Sequence, residues 1–224
     1  MDDQTKPKSN AALAIEQLRE MIFSGGLGAG TDHLESELAE TMGMSRTPVR
    51  EAVVALEGQG LLEVRPRKGV RITPVSPADM AEIYDVLTEL ESLAAANAAV
   101  VGYGEEDLAP IEDAIDRMDA ALAAEDRDTW AVADDMFHTE LVRLGRNTRL
   151  AAIVRMMADQ VRRARLVTLY IRPLPVASNA DHRAVLDAIR RGDAEAARAI
   201  HRAHRANAKT ALVGLLQKHH LNSL

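Results

Sequence analysis

Cysteine is absent from the 224 residues. No disulfide framework can form and no thiolate can hold a metal, which suits a reducing compartment. Aromatic residues make up only 3%, so aliphatic side chains and alanine must fill the cores. No apolar run approaches the roughly 18 residues that a membrane span requires. The opening MDDQTKPKSN is polar and acidic, unlike a secretory signal. A cytoplasmic chain with no membrane partner is expected. There is no internal repeat, no low-complexity stretch and no glycine loop of the phosphate-cradling kind.

Hydrophobic residues make up 47%, enough for real cores, and the length accommodates two domains of ordinary size. Alanine and leucine dominate and favour helices. The net charge of −7 excludes a protein that coats nucleic acid everywhere. From Met44 to Ile72, however, six Lys/Arg (positions 46, 50, 65, 67, 68 and 71) stand against three acids (51, 57 and 63), a local excess of +3. A small basic patch on an acidic protein can hold DNA locally.

Apolar spacing predicts a helix over 11–23, with Ile15, Leu18 and Ile22 on one face, broken by Gly25 to Gly30. A short helix follows from Glu35 to Met42, ended by Gly43 as a left-handed cap. A third starts after Ser45, a good N-cap, with Pro48 in its first turn and Val49, Val53 and Leu56 buried. Leu62–Arg65 and Val70–Thr73 alternate apolar and polar residues like two strands, with Pro66-Arg67-Lys68-Gly69 as the turn. Ser76 caps a fourth helix that opens on Pro77. Beyond it the chain reads as helices near 77–101, 105–124, 128–145, 147–170, 177–190 and 193–217. The fold class is therefore mainly α: an N-terminal winged helix-turn-helix of three helices plus a β-hairpin over 1–75, then an all-α bundle of about six helices over 76–224.

In such a motif the third helix presents its N-terminal residues to base edges in the major groove. Arg46 and Arg50 lie four apart, on one face opposite Val49 and Val53, with Thr47 beside them. Arginine offers a bidentate fork to guanine or phosphate. Arg67 and Lys68 at the hairpin tip can enter the neighbouring minor groove, and Gly69 permits the tight turn. The stretch ESELAETMGMSRTPVREAVVALEGQGLLEVRPRKGVRI resembles the GntR family of bacterial transcription regulators, and SRTPVREA is its most specific part. The resemblance implies that the segment opened by Ser45 carries Arg46, Thr47 and Arg50 to the operator, and that Arg67, Lys68 and Gly69 form the wing tip. His33 stands where the family usually has an aliphatic residue.

The later helices hold a polar constellation. In WAVADDMFHTEL, Trp130, Ala133, Phe137, Leu141 and Leu144 form an apolar stripe. Asp134 and His138, four apart, lie beside it. His182 shares a face with Val185, Leu186 and Ile189, and His204 with Ile200 and Ala208. One carboxylate and three imidazoles from three helices thus lean inward, where each needs a partner. A divalent metal would satisfy all four, and without a thiolate Zn²⁺, Ni²⁺, Mn²⁺ and Fe²⁺ all remain open. His201 is expected at the surface. D-x-x-x-H followed by GRNTRL, and then DHRAVLDAIRRGDAEAARAIHRAH, resembles the FCD sensing domain of the FadR-type branch of that family. Six helices match its smaller VanR-like subgroup. The resemblance implies that Asp134, His138, His182 and His204 hold a metal that helps bind a carboxylate effector. The branch often carries an arginine four residues before a glutamate; here Glu91 is present and Leu87 holds the other position. Arg162, Arg163 and Arg165 are alternative cations for an acid.

The function expected is that of a homodimeric transcription regulator, a repressor, whose affinity for double-stranded operator DNA changes when a small organic acid binds. One rival is a metal-dependent hydrolase, since such a metal can activate water; no separate general base accompanies the motif. The other is a regulator whose metal is purely structural.

Overall fold

A computed structural model describes residues 8–221. It separates into two compact units, one ending at Val75 and the other running from Ser76.

The first unit is built from α1 (Asn10–Phe23), β1 (Asp32–His33), α2 (Glu35–Thr41), α3 (Arg46–Glu57), β2 (Leu62–Arg65) and β3 (Gly69–Ile72). Ala14, Leu18 and Ile22 of α1 meet Val49, Ala52, Val53 and Leu56 of α3 in one core. Leu38 and Ala39 close it from α2, and Leu62, Val70 and Ile72 from the sheet. Ser45 occupies the N-cap of α3, but its side chain makes no cap bond there. The expected hairpin is present, with Val64 opposite Val70 and Arg65 opposite Gly69. A third strand, β1, joins its other edge and gives the order β1-β3-β2. Two residues are too few for an alternation signal, so β1 is invisible in the sequence. It pairs His33 with Val70, and His33 Nε2 lies 2.6 Å from Thr31 Oγ1.

The hairpin tip explains its own sequence. Lys68 N–H donates to Arg65 O at 2.9 Å, closing a β-turn with Pro66 second and Arg67 third. Arg67 takes a left-handed φ of 66°, as the third position of a type II turn demands. Gly69 follows with φ 88°, and a Cβ there would collide with the carbonyl oxygen of His33. Only glycine lets β1 close on the hairpin at that point.

The second unit is all helix: α4 (Pro77–Val101), α5 (Glu105–Ala123), α6 (Arg127–Leu144), α7 (Thr148–Thr168), α8 (Val176–Arg190) and α9 (Ala194–Lys218). The six ranges lie within a few residues of those read from the sequence. Ser76 accepts from Asp79 N–H, with Pro77 opening α4. Helices α4 and α9 pack along each other, as do α5 and α6. The core joins Ile111, Ile115 and Met118 of α5 to Phe137, Leu141 and Leu144 of α6 and to Val185, Leu186 and Ile189 of α8. Buried Trp130 donates from Nε1 to Asn179 Oδ1 at 2.8 Å, and Asn179 donates on to Asp119 at 2.7 Å. That chain ties α6, α8 and α5 together. Gly145, ending α6, lies so close to α4 that an added Cβ would sit 2.8 Å from Ala94 Cα.

Candidate functional sites

On α3 the burial pattern separates two faces. Pro48, Val49, Ala52 and Val53 are buried, whereas Ser45, Arg46, Thr47 and Arg50 are exposed. Helical spacing produces this directly, since positions 46 and 50 fall on the side away from 49 and 53. Arg50 stands 3.8 Å from a Glu35 oxygen with 76% of its side chain exposed, so the contact leaves its guanidinium accessible. Arg67 and Lys68 are exposed at the hairpin tip. The remaining two cations of the basic stretch are engaged elsewhere. Asp32 on β1 holds Arg65 at 3.2 Å and Arg71 at 3.8 Å. The strand missed in the sequence therefore narrows the available cations to Arg46, Arg50, Arg67 and Lys68.

In the second unit Asp134 and His138 from α6, His182 from α8 and His204 from α9 come together. His182 Nε2 lies 3.2 Å from His204 Nε2. Asp134 reaches His182 Nε2 at 3.6 Å through Oδ1 and His138 Nε2 at 3.7 Å through Oδ2. Asp134 and His182 are almost fully buried, and His138 and His204 nearly so. Phe137 packs its ring 4.0 Å from that of His182 and walls one side.

Two of the rings are oriented from behind. His138 Nδ1 lies 2.9 Å from Glu91 Oε2 on α4, and His204 Nδ1 lies 3.4 Å from Asp181 Oδ2 on α8. A carboxylate at Nδ1 holds the proton there and leaves Nε2 as a lone pair. His182 has no such partner, and its buried Nδ1 makes no hydrogen bond among the described residues.

Burial, the strongest influence, pushes the His182 imidazole well below its ordinary range, and the neighbouring His204, His138 and His201 add to it. Burial likewise takes His204 down to about 4, against the pull of Asp181. The imidazoles of His182 and His204 are therefore neutral at pH 7, the form that binds metals. Atoms about 2.0–2.2 Å from one ion stand roughly 3–3.6 Å apart in tetrahedral or octahedral arrangement. The 3.2 Å between His182 and His204 and the 3.6 Å from His182 to Asp134 Oδ1 fall in that range, the 3.7 Å from His138 to Asp134 Oδ2 lies just beyond it, and the ligand nitrogens of His138, His182 and His204 all lie within 4.8 Å of one another. The residues present thus fit a divalent ion.

His201 corrects an expectation. Expected at the surface, it is fully buried, with Nε2 3.1 Å from Glu91 Oε2. Burial, opposed by Glu91, takes it down to about 3. Its position one turn after Ala197 and one before Arg205, both buried, was the overlooked signal. Glu91, His138 and His201 form a second close group of potential ligands. Arg205 already stands 3.4 Å from Glu91 Oε1 and stacks 4.7 Å over Tyr84. A guanidinium there supplies the positive charge, and His201 Nε2 at 3.1 Å and His138 Nδ1 at 2.9 Å from Glu91 Oε2 account for the rest. Burial would raise the Glu91 carboxyl, but Arg205 and the two imidazoles outweigh it and hold Glu91 well below the usual carboxylate range.

Arg165 on α7 was one of three alternatives for an acid-binding cation. It is buried, with its guanidinium against Asp134 Oδ2 and 3.0 Å from Asp135. Burial lowers it to about 10, so it remains charged at pH 7. Arg162 and Arg165 face a cavity of about 530 Å³ between α6 and α7, and Arg163 does not. Glu91, His138 and Arg205 are on the same wall. Leu87, at the position where the branch often has arginine, contributes only apolar surface to it; Arg205 from α9 stands in as a cation.

The comparisons with known proteins agree with this architecture. Residues 11–72 match the family described as bacterial regulatory proteins, gntR family, and residues 82–207 match the FCD domain. An HTH-type transcriptional regulator from the TAR-I ttuE-ttuC′ intergenic region of Agrobacterium vitis is 38% identical over 142 residues, 62% of this chain and 83% of the relative. A "probable D-xylose utilization operon transcriptional repressor" of Paenarthrobacter nicotinovorans is 29% identical over 87% of both chains. Among solved structures, E. coli McbR/YncC superposes with a TM-score of 0.77 over 93% of this chain and 99% of its own, at 23% identity, which speaks to the fold. No described helix is long and apolar enough to cross a membrane. The family and these relatives are regulators rather than enzymes, and this chain belongs to the GntR family of bacterial regulatory proteins, as a DNA-binding transcriptional regulator with an FCD domain.

Proposed function

We propose that the protein is a cytoplasmic, homodimeric repressor whose hold on a pseudo-palindromic operator is released by a small organic acid. Residues 1–75 form the DNA-binding domain and 76–224 the sensing domain. Ser45, Arg46, Thr47 and Arg50 meet the major groove, and Arg67, Lys68 and Gly69 meet the minor groove beside it. Two-fold symmetry sets two recognition helices on matching half-sites. Asp134, His138, His182 and His204 hold the divalent ion, which supplies a Lewis-acidic anchor for the acid's carboxylate when bound. Arg165 and Arg205 then neutralise that carboxylate, and Glu91 and Asp181 keep the imidazole tautomers in order. The acid favours one arrangement of the dimer over the other and shifts their populations.

The observation that carries this reading is the convergence of His138, His182 and His204, two of them held neutral, with Asp134 beside them and a cavity lined by His138, Arg165 and Arg205. Its test is operator binding by fluorescence anisotropy, with the metal-loaded protein titrated with small acids. Release of DNA by an acid in the metal-loaded protein, lost in His182→Ala, is the expected result. Reciprocity requires operator DNA to change acid affinity by the same factor. Metal that raises the melting temperature while leaving acid and DNA binding unchanged would leave it a purely structural ion.

A further inference from the structure

The shape of the cavity says more about its occupant than that it is an acid. The cavity runs along the α6–α7 hairpin, and its lining changes character along the way. Its inner part is His138, Arg165 and Arg205. Leu87 from α4, Val142 from α6, and Val154 and Val161 from α7 add apolar surface, and Thr139, Asp135 and Asp159 line it as well. Its outer part, near the turn between the two helices, is Arg143, Arg146 and Arg155.

The outer arginines are exposed and are oriented by the fold. Tyr103 donates to Leu144 O at 2.6 Å and accepts from Arg146 Nε at 3.0 Å, and the Arg146 guanidinium stacks 5.0 Å over the same ring. Arg143 is braced by Glu140 at 2.6 Å. An acid with one charged end and a hydrocarbon tail would press that tail against these guanidinium groups and strip water from them without a partner, which is unfavourable.

We propose that the effector is a medium-length dicarboxylic acid, with one carboxylate at the His138–Arg165–Arg205 end and the other at Arg146 and Arg155. This deepens, and rests on, the acid-effector reading above. From His138 to Leu144, the end of α6, is six residues, a rise of roughly 9 Å at about 1.5 Å per residue, and Arg146 follows two residues later. A saturated chain of about eight to ten carbons spans that distance. Its methylene groups lie on Leu87, Val142 and Val154, and each end meets a guanidinium fork suited to a carboxylate.

The test is calorimetric titration of the zinc-loaded full chain with two matched series, straight-chain monoacids and α,ω-diacids of four to twelve carbons. The expected result is at least tenfold tighter binding of the eight- to ten-carbon diacids than of monoacids of equal length. The doubly substituted Arg146→Gln/Arg155→Gln protein should bind the diacids only as tightly as the monoacids; Arg146 also donates to Tyr103, so an unchanged Tm of the variant is measured alongside to show that the fold is kept. Equal binding of monoacid and diacid, or equal weakening of both in that variant, overturns the two-ended effector and leaves the acid-sensing reading standing. If zinc binds and neither series does, the acid-sensing reading falls together with it.

Discussion

Acidification should unfold the metal-free sensing unit well before its carboxylates protonate. His182, His201 and His204 are buried neutral, with His201 at about 3, His204 at about 4 and His182 well below its ordinary range. In the unfolded chain all three titrate near 6.5. Lowering the pH from 7 to 5 therefore protonates them in the unfolded state and leaves them neutral in the folded one. The unfolded state binds more protons, so stability falls as pH falls. At pH 5 the gap to 6.5 is 1.5 units, worth about 2 kcal/mol per imidazole and about 6 kcal/mol for three. Glu91 contributes nothing to this slope. Its folded carboxyl is held below the ordinary value, so it stays ionised throughout, and the stability it supplies is lost only at lower pH.

A loss of that size is comparable with the whole stability of a domain, about 5–15 kcal/mol. For a unit of this length it corresponds to a fall of roughly 12–24 °C in Tm. Trp130, the single tryptophan, is buried in α6 and reports on this unit alone. Thermal unfolding followed by its fluorescence, in the presence of a chelator, gives the curve from pH 7.5 to pH 5. His201→Gln removes one ionisation and should reduce the slope by about a third. A Tm that stays level down to pH 5, or a slope unaffected by that substitution, would refute the buried-neutral account.

Glu91→Gln should weaken zinc binding about 10–100-fold, measured by competition with a chromophoric chelator, and Asp181→Asn should do less because its contact to His204 is the longer of the two, 3.4 Å; operator affinity of the metal-free protein should not move. Arg50→Ala should cost about 1–3 kcal/mol on the specific operator if the side chain reads a base, and equal losses on random DNA in an anisotropy assay would make it a phosphate contact. Gly145→Ala should destabilise the sensing unit by about 1–3 kcal/mol, because the new methyl meets the α4 backbone at Ala94; an unchanged Tm by Trp130 fluorescence would show that the helices separate freely. Arg67→Gly should relieve the left-handed residue at the hairpin tip, stabilising the first unit by about 1 kcal/mol in urea unfolding while weakening DNA binding, and a destabilised variant would contradict the turn geometry.

The helices were legible because their signals are local and periodic. Val49, Val53 and Leu56 repeat at helical spacing, Ser76 precedes Pro77, and Gly145 stops α6. The inward lean of Asp134, His138, His182 and His204 followed from the same periodicity, since each shares a face with aliphatic neighbours. What the sequence hid depends on contacts between distant segments. β1 exists because Asp32 and His33 pair with Arg71 and Val70, about forty positions away. His201, expected at the surface, is flanked by arginines of which one, Arg205, is itself buried against Glu91 and Tyr84. Of three further residues beside the imidazoles, Glu91 was marked by the branch's arginine–glutamate pattern, whereas Asp181 and Arg205 carry no motif that singles them out. Only the packing of α4 along α9 brings Glu91 to Arg205 and His201.

Charge accounting links the metal to the acid. Around the imidazoles stand three carboxylates, Glu91, Asp134 and Asp135, and three guanidinium groups, Arg162, Arg165 and Arg205, in contact with one another. These six cancel, Asp181 adds a further carboxylate at His204, and burial outweighs the pull of Glu91 and Asp181 and keeps His182, His201 and His204 neutral. On the reading proposed above, a divalent ion at these nitrogens would bring two positive charges that Asp181 offsets only in part, and uncompensated charge in a buried site is expensive. The nearest open volume from which anions can come is the α6–α7 cavity, reached at His138, where Arg165 and Arg205 already face inward. Under that proposal metal and acid would bind with positive coupling, each relieving the charge that the other introduces. The elements that feel the change are α4 through Glu91, α6 through Asp134, α7 through Arg165 and α9 through Arg205. One anion thus bears on four of the six helices of the unit at once, the kind of distributed contact by which a small ligand can favour one packing of a helical domain over another.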